Sequence, residues 1–62
     1  MAARENAVQV MKLTPDEAME AGIRLVADNV QDEEALAVIK EVFGRNYYYI
    51  IVNEIFDRLK SV

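Results

Sequence analysis

Carboxylates are what this sequence offers to chemistry: 62 residues carry eleven Asp and Glu but no His and no Cys. Glu17, Glu20, Asp28, Glu33, Glu34, Glu41, Glu54 and Asp57 could in principle supply a general acid and a general base. Nothing in their spacing pairs them with a nucleophile, because the hydroxyls in play are Thr14, which reads as a helix cap, and Ser61, beside the last residue. Without imidazole or thiolate, nearly every zinc, copper or haem arrangement is removed. Asp28, Asp32, Glu33 and Glu34 invite a calcium reading, yet an EF-hand loop needs oxygen ligands at its first, third and fifth places and Gly at its sixth. Counted from Asp28, Val30 and Glu33 occupy the third and sixth. That acidic turn therefore reads as a solvated, capped link between helices. No catalytic, metal-binding or cofactor-binding residue is assigned, and so short a chain has little volume for a substrate cleft of a few hundred Å³. A non-enzyme is expected.

The second chemical feature is aromatic. The stretch RNYYYIIVNEIF, Arg45 to Phe56, sets three tyrosines before two isoleucines and a valine. Successive residues on a helix point about 100° apart, so Tyr47, Tyr48 and Tyr49 cannot all enter one small core. Tyrosine suits interface centres because it covers much area, orders cheaply and keeps a hydroxyl for a hydrogen bond. The candidate interface is Tyr47, Tyr48, Tyr49, Ile50, Ile51, Val52 and Phe56. A symmetric homodimer is the first expectation, a site for a different protein the second, and base stacking on single-stranded nucleic acid a distant third.

The elements that must position these residues are helical. Thr14-Pro15-Asp16-Glu17 has a capping Thr, a Pro at the first helical position and a Glu three residues after the cap, as in a capping box. Behind it Met19, Ile23, Val26 and Val30 recur at helical spacing and give one apolar face. Gly22 within that helix marks close approach of another helix. Asn29 offers a left-handed stop and Asp32 a cap for the next helix, whose first turn carries Glu33 and Glu34 near the positive end of the dipole. More than half of that second helix is apolar in circumference, through Leu36, Ile39 and Phe43 and through Ala35, Val38 and Val42, which predicts burial on two sides. Gly44 ends it. The tyrosine run alone has strand propensity, but Tyr48, Val52, Ile55 and Leu59 follow i, i+4, i+7 and i+11, so a third helix capped by Asn46 is predicted. Tyr48, Ile51, Val52, Ile55 and Leu59 are then core or dimer seam, with Tyr47 or Tyr49 and Ile50 at an interface. Residues 1–13 allow either a short helix, through Ala3, Ala7, Val10 and Met11, or a short strand over Val8 to Leu13. The expected fold is all-α: a small antiparallel bundle of three main helices over 14–62, with the third helix at its centre and a short N-terminal segment over 1–13.

At this length a lone core is marginal, and with disulfides and structural metals removed the remaining support is self-association or a partner. Hydrophobic residues make up 53% of the chain, with two Gly and one Pro, which is too apolar for disorder. Seven basic against eleven acidic residues give a net charge of −4, and the basic ones are spread almost evenly, so binding of phosphate backbones by counterion release is disfavoured. No apolar run approaches the roughly 20 residues that span a bilayer, and MAAREN has no signal-peptide core. A cytoplasmic protein without a membrane partner is expected.

A possible strand running into Thr-Pro-Asp-Glu and two helices, Val8 to Phe43, resembles the ribbon-helix-helix repressors, which would imply DNA binding through an intertwined ribbon. The outward ribbon set here would be Gln9, Met11 and Leu13, or Val8, Val10 and Lys12, and neither forms a base-reading face. The region Leu36 to Val62 is similar to the last helices of the small enterobacterial Hha and YmoA modulators, which bind a nucleoid protein, but Gly44-Arg45-Asn46 stands where that family has Asp-His-Arg. No residue role is carried over from either. The leading expectation is a non-enzymatic interaction module, a small homodimeric regulator of another macromolecule. The alternatives are a ribbon-helix-helix DNA-binding regulator and an acidic helical inhibitor that mimics nucleic acid.

Overall fold

The computed structural model describes residues 2–61. Among them are four helices and no strand: α1 (Ala2–Met11), α2 (Pro15–Asp28), α3 (Glu33–Phe43) and α4 (Arg45–Lys60). The all-α class stands, while the expectation of three main helices is one short, because the N-terminal segment is a full helix. Its Ala3, Ala7 and Val10 fall at i, i+4 and i+7 and are all buried, so α1 closes the core instead of preceding it. A helix over Val8 to Met11 also removes the ribbon that a repressor of that type needs. Met1 and Val62, the outermost residues of the two expected ranges, lie outside the described residues.

Local chemistry accounts for each boundary. α1 ends in a tightened turn, with the amides of Lys12 and Leu13 donating to the carbonyls of Gln9 and Val10 at 3.1 Å. Thr14 is extended, as the residue before a proline must be, and its carbonyl accepts the first bond of α2 from Ala18 at 2.7 Å. The capping box is not formed as expected: the Thr14 hydroxyl bonds the Glu17 carboxylate at 2.8 Å and caps no backbone amide. Asn29 is not left-handed either, with φ −113°; it ends α2 by donating its side-chain amide to the Leu25 carbonyl at 2.8 Å. Asp32 does cap α3, accepting from the Ala35 amide at 3.1 Å.

Gly44 is the pivot between α3 and α4. At φ 88° and ψ 149° it occupies backbone space essentially reserved for glycine. Its amide donates to Lys40 at 2.9 Å to finish α3, and its carbonyl accepts from Tyr48 at 3.0 Å to begin α4. One residue thus serves as both caps, and Asn46, the expected cap, sits inside the first turn of α4.

The helices pack as a ring in which α1 lies against α2 and α3, and α4 against the same two. α4 is one side of this ring and not its centre. α3, meeting both α1 and α4, has the two-sided burial that its apolar circumference required. The body is flattened, 32 × 27 × 18 Å. Among the described residues, four of the nine buried apolar ones are alanines, and Ile39 and Ile51 are the largest side chains fully enclosed. No described helix is long and apolar enough to cross a membrane.

Gly22 fixes where α2 meets α4. A β-carbon there would stand 2.7 Å from Ile51 Cδ1 and 3.7 Å from the Phe43 ring. Helix propensity favours Ala over Gly by about 1 kcal/mol, whereas overpacking costs about 1–3 kcal/mol, so the two oppose each other at this site. Gly22→Ala is expected to change stability little in the native chain and to stabilise by about 1 kcal/mol in an Ile51→Val background, which lacks the obstructing methyl; a denaturation cycle showing no coupling between the two sites would sink this explanation. At Gly44 a β-carbon would meet nothing within 4 Å, so Gly44→Ala is expected to destabilise by about 1–3 kcal/mol through backbone strain alone, read as a lower urea midpoint at unchanged slope.

Candidate functional site

Five of the carboxylates, Glu17, Glu20, Asp32, Glu41 and Glu54, are employed in structure. Arg58 makes a two-pronged bond to Glu20, Nη1 to Oε1 at 3.2 Å and Nη2 to Oε2 at 2.5 Å, and its Nε lies 3.5 Å from Glu54. That hydrogen bond, with the charge behind it, holds the Glu20 carboxyl below its ordinary range. Arg4 reaches Glu41 at 3.2 Å and ties α1 to α3. Glu17 and Asp32 are occupied at the helix starts. Among the described residues no group of three acidic side chains is gathered as a metal site.

The aromatic run is divided by the helix into faces with different fates. Ile51 is fully enclosed against Gly22 and belongs to the core. Tyr47 is half-buried, its ring edge-on to Phe43 at 5.6 Å and 74°. It also walls an open apolar concavity of about 330 Å³ with Met11, Leu13, Pro15, Ala18 and Met19, so the chain does form hollows of a few hundred Å³, contrary to what its length led us to expect. Tyr48 and Val52 are half-buried on the flank. Ile50 is 52% exposed, on a side of its own.

The outward face of α4 carries Tyr49, Phe56 and Leu59, with exposures of 46% for Tyr49, 57% for Phe56 and 64% for Leu59, and the half-buried Val52 on the flank completes the row at its inner edge. Their spacing is three, four, three, which is the a and d pattern of a helix seam. Leu59, by spacing a core or dimer-seam position and not one of the seven candidate interface residues, stands in line with the exposed aromatics. The sequence signal is the 49, 52, 56, 59 repeat, which runs one residue beside the 48, 52, 55, 59 repeat and shares two members with it. The position of Ile51 against Gly22, with the contacts that Tyr49 and Arg58 make to neighbouring helices, decides which stripe faces outward.

Tyr49 is the polar end of this stripe. Lys40 on α3 donates to its hydroxyl at 3.1 Å and sits 4.9 Å from the ring centroid, while Tyr48 meets the same ring edge-on at 5.7 Å. The Lys40 hydrogen bond and then its charge push the phenol pKa down from its ordinary value. The link also pins the start of α4 to the last turn of α3, as Arg58 pins its end to α2. Held at both ends, α4 presents its apolar stripe on a fixed support.

Comparison with known proteins gives no match: no family model, no curated protein and no solved structure corresponds to the chain.

In a Tyr47→Phe/Tyr48→Phe background, tyrosinate absorbance is expected to rise at lower pH than for an ordinary tyrosine, and Lys40→Met to move that rise upward. An unchanged midpoint after removal of the lysine would show that the pair is not made in solution.

Proposed function

We propose that the protein is a non-enzymatic protein–protein interaction module, a small homodimer that binds and modulates another macromolecule. The observation that carries this reading is the exposed stripe Tyr49, Phe56 and Leu59 on α4, with the half-buried Val52 in line at its inner edge. Contiguous apolar surface on a small protein marks an interaction site, and the seam spacing suits another helix more than a compact ligand. Self-pairing through the stripe leaves the acidic outer faces, including Asp16, Glu17, Glu33 and Glu34, for the regulated macromolecule.

Light scattering over a hundredfold dilution, with helicity recorded alongside, tests the reading. The native chain is expected at twice its single-chain mass at high concentration. Phe56→Glu places a charge in the seam and is expected to weaken association at least roughly 30-fold, as loss of an interface anchor of about 2 kcal/mol does, without loss of helicity when folded. A native chain that stays single at every concentration, or a Phe56→Glu variant that dimerises as well as the native chain, would overturn it.

A further inference from the structure

Resting on that homodimer reading, we infer that α4 pairs with α4 of a second copy in antiparallel orientation, with Tyr49 opposite the partner's Leu59 and Val52 opposite the partner's Phe56. The two-fold axis then crosses the seam between Val52 and Phe56, and one surface meets itself, as a closed dimer requires.

Side-chain size favours this orientation. A parallel pair sets Tyr49 on Tyr49, Val52 on Val52 and Phe56 on Phe56, which crowds two layers and leaves the valine layer empty. An antiparallel pair sets large on small in every layer, the arrangement by which facing positions interdigitate without voids or overpacking.

Charge favours it independently. Arg45 lies four residues before Tyr49 on the same stripe, and Lys40 is held beside Tyr49. A parallel seam brings Arg45 directly against its copy and gathers two Lys40 ammonium groups at the same end. In the antiparallel register each Arg45 passes beyond the last turn of the other helix, which ends at Lys60. There it meets the carbonyl end of the partner helix, where a cation is favourable. The flanking positions agree: Asn53 falls near its own copy across the axis, and Lys60 falls beside the partner's Asn46. The one cation drawn toward Arg45 is Lys60, which lies on the exposed flank of the stripe.

The absence of native cysteine allows a clean distance measurement. An Asn46→Cys variant carries a spin label on an exposed residue outside the seam. In the antiparallel register the two labelled positions are separated by about 24 Å along the helix axis, from sixteen residue steps of 1.5 Å; in a parallel pair they lie side by side at the same level. Dipolar spectroscopy on material of doubled mass is expected to show the long separation. A short separation at doubled mass overturns the orientation and leaves the dimer reading intact. A single-copy mass with no dipolar coupling overturns the dimer reading itself. As a second measurement, Tyr49→Cys and Leu59→Cys chains are oxidised separately and mixed. The mixed disulfide is expected in excess over either symmetric one, and symmetric products in the unmixed samples with no mixed excess would overturn the register.

Discussion

The closeness of α2 to α4 at Gly22 is the constraint on which the rest depends. With no β-carbon there, Ile51 can push its Cδ1 to the backbone of α2, and the Phe43 ring can close over the same point. That contact decides the rotation of α4 about its own axis. Once Ile51 faces inward, Tyr49 and Phe56 fall about 160° and 140° away on the far side and Val52 on the flank, and no choice of rotamer returns the two aromatics to the core. The burial of one isoleucine and the exposure of a phenylalanine five residues later are one geometric fact.

A core in which four of the nine buried residues described are alanine lets four helices approach closely, but it encloses little volume. Ile39 and Ile51 are the largest side chains it hides completely. At about 25 cal/mol per Å² of apolar area removed from water, such a core gives a 62-residue chain little margin over the entropy of ordering it, which is why domains of this size usually recruit further support. The apolar area that the fold leaves outside on α4 is where that support is available. Under the proposed self-association, stability and interaction are coupled through the same side chains.

Much of the architecture is readable from residues whose effect is local. Pro15 after Thr14, Asp32 before two glutamates and Gly44 after Phe43 mark boundaries because proline, an acidic cap and a glycine act on their own few backbone groups. The readings that fail need information from elsewhere in the chain. Asn29 stops α2 with its side chain because Leu25 has a carbonyl within reach, not because its backbone turns left-handed. Asn46 loses the capping role to Gly44, whose unusual backbone angles start α4 earlier than side-chain chemistry suggests. α1 is ambiguous in sequence because its core face is made of Ala3 and Ala7, small residues that carry almost no hydrophobic periodicity until another helix lies on them.

The candidate site shows the same division more sharply. That the aromatic run has to place something outside follows from helical geometry alone, since three consecutive tyrosines span most of a turn. Which residues go outside does not, because two apolar repeats one residue apart share Val52 and Leu59. Local sequence is nearly indifferent between them. The tie is broken by Gly22, on a different helix, and by the two polar tethers that hold α4 at its ends, Lys40 to Tyr49 and Arg58 to Glu20. Both tethers are exposed, so each is weak against solvent by itself. Their effect is directional: added to a core contact that already prefers one rotation, they resist the turn of about 50° that would swing the other stripe outward. Under the proposed self-association, a helix so held has little of its ordering entropy left to lose, and that preorganisation is what would convert leftover apolar area into a specific surface.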